Sequence, residues 1–367
     1  MPYRTPLFEE LSQHNFYNIT VLYCSQRATD RQWSLDDFLP NFNYKILRNF
    51  SFQLLKSSYQ DEWRFIRINP TLFFHLLQLR PEVIIAYEYS VPSIIAMLYC
   101  MIRGCKLIIW SEMTAHADSQ LSRGQEWTRK LIIPRADGFI GTSNAASENF
   151  RRRSIDDSKI TLAPQTYVAK QFQSNQHSED HPPTVIYAGY LSKRKGIEHL
   201  VIAFSKVVAE IPLARLILIG DGHQFEKIRQ LIQSANLSDK VTMTGFVEPK
   251  AVSTYYKEGD IFVLPSLEDT FGVVATEAIA MGLTLICSKY AGFSSHMTHE
   301  TNGYIVDPTN HDELADYMIR LLESPDLRTS MNRNAQDILY QFDPTYVAQQ
   351  FVKAIEKPQR TQRWGLR

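Results

Sequence analysis

Asp269 and Glu277 stand eight positions apart in PSLEDTFGVVATEAIAMG, residues 265–282, with the step Phe271-Gly272 between them and an apolar stretch beyond. Two carboxylates flanking a loop-to-helix entry can hold a polyhydroxylated molecule, because every carboxylate oxygen accepts from hydroxyls. The first turn of such a helix leaves N–H groups unpaired and carries the positive end of the helix dipole, an arrangement that suits phosphate. Gly272 allows a ligand close to the backbone. Glu277 is expected about two turns into VVATEAIAM, placed to take a diol. The plainer readings are an N-cap for Asp269 and a solvated helix position for Glu277.

These acids need a scaffold that brings distant loops together. TVIYAGYLSKRKGIEHLVIAFSKV reads as a strand over 185–188, a turn at Gly189, a basic loop of Lys193, Arg194, Lys195 and Gly196, and an amphipathic helix. ARLILIG follows as a strand, with a turn at Gly220-Asp221-Gly222, then the helix FEKIRQLIQSA, the short strand VTMTGF, and the strand DIFVLPS that leads into Asp269. Strands alternating with helices of this length predict a parallel sheet, whose ligands sit beyond the carboxyl ends of the strands. The basic loop and the acid pair both lie at such ends.

The stretches GYLSKRKG, LILIGDG, TGF, DIFVLPSLEDTFGVVATEA and NGYIVDP occur in the order and spacing of a known family. Residues 184–320 thereby resemble the nucleotide-sugar half of the retaining glycosyltransferases of the GT-B fold, family four, glycosyltransferases group 1. The resemblance implies an α/β chain of two doubly wound, Rossmann-like domains facing a central cleft, with a nucleoside diphosphate sugar as co-substrate. Carried over by position, Lys195 contacts the donor diphosphate and Glu277 holds the ribose hydroxyls. Asp269 stands where the family has the first glutamate of its E-x7-E pair, facing the donor sugar, which makes it a catalytic candidate. Gly272 and Val273, next to Phe271, offer backbone N–H groups to phosphate or sugar, and Phe246 belongs to the loop that frames the base. Two positions depart from the pattern: Tyr190 replaces an arginine, leaving Lys193 or Arg194 to take over its phosphate contact or the diphosphate less strongly held, and Ser295 stands where a carboxylate is common.

No Asp-x-Asp occurs in the chain, and the four cysteines show no C-x-x-C spacing, so neither a metal on the diphosphate nor a structural zinc is expected. Cationic side chains and the helix end are expected to act instead.

The amino-terminal half reads as a second doubly wound domain, with strands in NITVLYCS, PEVIIAYEY, CKLIIWSE and DGFIGTS. Its similarity to the family is looser, resting on PYRTPLFEEL, DRQW, INP and WSEMTAH, and implies the acceptor-binding half. Glu112 follows the strand KLIIWS where many relatives have a histidine near the donor sugar. It reads as a carboxylate on a sugar or acceptor hydroxyl, where it would serve as the acceptor's base, or as a strand-end acid bonded to Thr114 or backbone; a strand end facing the cleft favours the first. His116 is the weaker alternative, and Arg4 is expected on the acceptor side. Relatives open with an apolar strand ahead of the PYRTPL-like segment, whereas Met1 is followed at once by Pro2-Tyr3-Arg4. Either the start is assigned too late or the domain lacks its first strand, with sheet edges exposed.

The expected organisation is an amino-terminal domain over 1–171, a polar linker over 172–183, a nucleotide-sugar domain over 184–342, a helix over 343–357 that crosses back to the first domain, and a basic tail over 358–367. A length of 367 residues with 44% apolar content supports two cores. Lys+Arg and Asp+Glu both total 39, which removes any global attraction to nucleic acid. SRGQEWTRKLIIPRADGF gathers Arg123, Arg129, Lys130 and Arg135 around Trp127, and Arg151 to Arg153 follow. This segment reads either as a peripheral membrane contact or, preferably, as an amphipathic helix packed on the sheet with a solvated basic face. No stretch reaches a membrane-spanning length, no signal peptide is visible, and four scattered cysteines fit buried thiols, which together point to the cytoplasm, with peripheral contact to the membrane's inner face left open. The resemblance implies transfer of a sugar to a glycan or lipid-linked acceptor with retention, in surface polysaccharide or glycoconjugate assembly. The alternative is a transferase-like subunit that binds nucleotide sugar, or a partner enzyme, without turnover.

Overall fold

The computed structural model describes residues 4–13, 17–25, 41–53, 65–167 and 181–358; the expectations for Pro2-Tyr3, DRQW, most of the linker and the last nine residues fall outside them. In chain order the elements of the first half are α1 (Thr5–Ser12), β1 (Thr20–Tyr23), β2 (Asn43–Ile46), β3 (Phe50–Gln53), β4 (Phe65–Ile68), α2 (Leu72–Leu79), β5 (Val83–Tyr87), α3 (Val91–Arg103), β6 (Lys106–Ser111), α4 (Ala115–Asp118), α5 (Arg123–Ile132), β7 (Gly138–Gly141), α6 (Asn144–Arg152) and β8 (Ile160–Leu162). The second half comprises β9 (Thr184–Ala188), α7 (Ile197–Glu210), β10 (Arg215–Ile219), α8 (Phe225–Ser234), β11 (Val241–Gly245), α9 (Pro249–Tyr256), β12 (Ile261–Leu264), α10 (Val274–Ala280), β13 (Thr284–Ser288), β14 (Tyr304–Val306), α11 (His311–Glu323), α12 (Pro325–Gln336) and α13 (Pro344–Glu356).

The described residues form two compact units, one running to Thr166 and resuming at Asp343, the other from Tyr167 to Phe342. In the first, β5, β6, β7 and β8 make a parallel sheet in that order. VIIAY and KLIIWS are continuous apolar runs because both faces are covered. Leu76 of α2, Met97 of α3 and Phe150 of α6 fill one face, while Leu7 and Leu11 of α1 and Val347 and Phe351 of α13 fill the other. α13 is held at its carboxyl end by Lys106, at the start of β6, whose ammonium donates to the carbonyls of Ala354 at 2.9 Å, Ile355 at 2.7 Å and Lys357. A cation suits that end of a helix.

The amino-terminal strands depart in part from expectation. All four anticipated strands form, but β1 pairs in parallel with β2 in a ladder separate from the β5–β8 sheet, and β3 and β4 make an antiparallel pair. β8 escapes sequence reading because three residues of ITL carry too little periodicity.

In the second unit six parallel strands take the order β11-β10-β9-β12-β13-β14. One face packs α7, α8 and α11 through residues such as Phe204, Ile228 and Met318; the other packs α10, α12 and the end of α9 through Ile279, Ala335 and Tyr256. Chain order proceeds outward from β9 in one direction to β10 and β11, then returns to β12 on its other side. The crevice between the carboxyl ends of β9 and β12 is therefore the topological switch point, where sheets of this kind take ligands.

Candidate functional site

The loops after β9 and β12 meet at this switch point. Gly196 has φ +68°, and a Cβ there would stand 2.0 Å from the carbonyl oxygen of Pro265, so only glycine lets the basic loop lie on the loop after β12. The Arg194 carbonyl accepts from Leu267 N–H at 2.8 Å and Glu268 N–H at 3.1 Å, locking the two loops together.

That contact brings Lys195 to Asp269, with Nζ donating to Oδ2 at 2.5 Å. Asp269 is buried, which opposes its charge, but Lys195 and then Arg194 hold its pKa below the ordinary carboxylate value. It does not cap α10: it pairs in bridge fashion with Ala291 and accepts from Phe271 N–H at 3.4 Å, while α10 begins only at Val274. Glu277 accordingly lies in the first turn of α10 rather than two turns in. It is buried, not solvated; burial pushes its pKa up to about 8, and the Tyr256 hydroxyl, donating to Oε2 at 3.3 Å, offsets only part of that. One acid of the pair is thus held charged by a lysine, and the other holds its proton at neutral pH in a largely apolar setting.

Gly272, at φ +97°, turns the chain into α10, and the N–H groups of Gly272 and Val273 find no acceptor among the described residues. The Phe271 side chain plays no ligand-facing part, because its ring is buried edge-on to Phe293, His296 and Phe342. Tyr190 is exposed beside His223, and Phe246 is exposed just past β11. Backbone packing places these loops side by side: a Cβ on Gly220 would stand 2.0 Å from Gly189 O, and Gly220 N–H donates to Gly245 O at 3.0 Å. The Arg194 guanidinium reaches the Glu268 carbonyl at 3.4 Å. Ser192 and Ser266, one in each meeting loop, have buried hydroxyls with no partner among the described residues.

The first unit assembles a second polar cluster at the carboxyl ends of β5 and β6. Glu112 accepts from Arg4 Nη2 at 2.5 Å and from Gln165 Nε2. The Arg4 guanidinium lies 3.9 Å from the Tyr87 ring centroid and 4.4 Å from that of Trp110. Thr114, offered by sequence as a partner for Glu112, instead accepts from Ala117 N–H and caps α4. His116 sits within α4, its carbonyl accepting from Ser119. Glu88, at φ +54°, accepts from Glu112 N–H at 2.7 Å and Ser111 Oγ at 2.8 Å. Burial pushes Glu88 up to about 7.

Glu88, Gln165 and Tyr256 were not anticipated. Glu88 stands one residue past β5 just as Glu112 stands one past β6, so the strand-end rule could have found it. Gln165 and Tyr256 meet their acids across 53 and 21 residues, with no local signal. Among the described residues no three His, Cys, Asp or Glu side chains converge as a metal site. His177 and His181 stand four apart in sequence, with His177 outside the described residues.

Residues 169–338 match the family model "Glycosyl transferases group 1". An uncharacterized glycosyltransferase of Methanocaldococcus jannaschii is 32% identical over 163 residues, 44% of this chain and 42% of the relative. The N-acetyl-alpha-D-glucosaminyl L-malate synthase of Bacillus anthracis is 30% identical over 157 residues, 43% and 40% of the two chains. The chain thus spans about two-fifths of the length of these curated relatives. In three dimensions it is similar to Anabaena HepE, solved in complex with UDP and glucose, with a TM-score of 0.76 at 17% identity over 98% of this chain and 96% of that one. The fold is that of GT-B proteins, α/β with two Rossmann-like domains. Over residues 169–338, somewhat less than half of its length, the chain is similar to the glycosyl transferases group 1 family.

Proposed function

We propose that the protein is a retaining glycosyltransferase that moves a sugar from a nucleoside diphosphate sugar to a hydroxyl of a glycan or lipid-linked acceptor, in surface polysaccharide or glycoconjugate assembly. The observation that carries this reading is the Lys195–Asp269 pair at the β9/β12 switch point, with Glu277 in the first turn of α10. Lys195 and the N–H groups of Gly272 and Val273 face the diphosphate and stabilise the charge that grows on it as it leaves. Glu277 takes the ribose diol, and Asp269 faces the donor sugar. The acceptor oxygen attacks the anomeric carbon from the side on which the phosphate departs; the glycosidic bond forms as the carbon–phosphate-oxygen bond breaks, and the acceptor proton passes to the leaving phosphate. No metal is required in this scheme, because cationic and backbone donors occupy its role. Arg4, Glu112 and Gln165 are the acceptor-side groups.

That HepE was solved with UDP, and that a relative is named for an N-acetylglucosaminyl product, support a uridine diphosphate sugar as the first donor to try. The test is release of nucleoside diphosphate from a panel of such donors. Activity that Glu277→Ala lowers at least about tenfold supports the proposal. Donor binding without release, with or without added glycan acceptors, would favour a binding subunit, a reading that Tyr190 in place of a cation also suits.

A further inference from the structure

The basic segment around Trp127 differs from its sequence reading. Arg129 is buried and paired with Asp118 at 3.0 Å, Arg153 bridges Asp118 and Glu126, and Arg151 pairs with Asp157. Arg123, Trp127 and Lys130 remain as one outward stripe of α5, at helical spacings of four and three. α5 packs on α3, and α3 also packs on α2. Both of these helices present apolar stripes to solvent: Phe74 and Leu77 on α2, and Leu98, Met101 and Ile102 on α3, with Phe74, Ile102 and Trp127 exposed by 65%, 63% and 59%. Exposed Arg80 and Arg103 end the two helices. Neither α2 nor α3 contains an acidic residue, and the single acid of α5, Glu126, is turned to Arg153. Neighbouring apolar stripes on a soluble surface mark an interaction site. Here they carry no carboxylate themselves and are bordered by cations that outnumber exposed Glu82 beside Arg80, a combination that suits an anionic lipid surface.

We propose that the outer face of α2, α3 and α5 docks this protein on an anionic bilayer, with Phe74, Leu98, Ile102 and Trp127 entering the headgroup boundary and Arg80, Arg103, Arg123 and Lys130 contacting lipid phosphates. The mode is peripheral: no described helix is long and apolar enough to cross a membrane. The inference concerns the first unit alone and does not depend on the donor reading.

The test is co-sedimentation of the full chain with phosphatidylcholine vesicles, with and without phosphatidylglycerol. Binding is expected only with the anionic lipid, weakening with salt, falling about fivefold for each of Arg103→Gln and Arg123→Gln, and disappearing in Leu98→Ser/Ile102→Ser. Brominated acyl chains should quench wild-type fluorescence more than that of Trp127→Phe. All substituted side chains are exposed, and unchanged melting temperatures would confirm intact folding. Failure to bind anionic vesicles, or binding indifferent to these substitutions, overturns the proposal. Self-association that Leu98→Ser/Ile102→Ser abolishes, without vesicle binding, would assign the face to a second copy instead.

Discussion

Both acids of the candidate donor site are buried, but the cations beside Asp269, absent around Glu277 among the described residues, give the two opposite protonation states. Glu277, with its pKa near 8, keeps a proton in the folded protein that the unfolded chain releases near the ordinary carboxylate value. Across that window the folded state binds more protons, so stability falls as pH rises toward about 8. Glu277→Gln is expected to remove this slope: in urea unfolding the variant should gain on the wild type by a few kcal/mol between about pH 5 and about pH 8. An unchanged slope would mean that Glu277 is ionised when folded. Asp269 behaves in the reverse sense, because Lys195 holds it charged. Lys195→Ala leaves a buried carboxylate without its principal partner and should cost about 3 kcal/mol. Adding Asp269→Asn should restore most of that loss, whereas additive losses would show that the pair is not coupled.

At the scale of elements, glycine-permitted contacts do the positioning. Gly196 against Pro265 and Gly220 against Gly189 bring loop backbones within reach of one another, so side chains more than seventy positions apart meet. Long periodic runs made β5, β6, β9, β10 and β12 legible from sequence, as did the basic loop and the acids at their ends. β1 was legible as a strand, but its pairing in a separate ladder was not, since pairing depends on partners distant in sequence. The sequence pattern starts α10 too early because the apolar residues 271–273 continue it, although Gly272 holds the chain in a left-handed turn. Lys106 was unremarked in sequence, a lysine in a strand, yet it caps α13. Lys106→Met should keep the apolar stem, lose the cap and cost about 1 to 3 kcal/mol, read as a lower midpoint in thermal or urea unfolding. No change would mean that water serves those carbonyls equally well.

Across the whole molecule, the second unit carries the features on which the donor reading rests: the family match, the switch point and the Lys195–Asp269–Glu277 set. Calorimetric titration of UDP, GDP and ADP into the wild type, Lys195→Ala and Glu277→Ala tests that reading most directly. One nucleoside diphosphate, with UDP the first expected, should bind the wild type at micromolar concentration, and each substitution should weaken it by about tenfold or more, the loss of one charge-assisted contact or one diol contact. Equal binding to all three proteins, or no binding of any nucleoside diphosphate to a folded wild type, would contradict it.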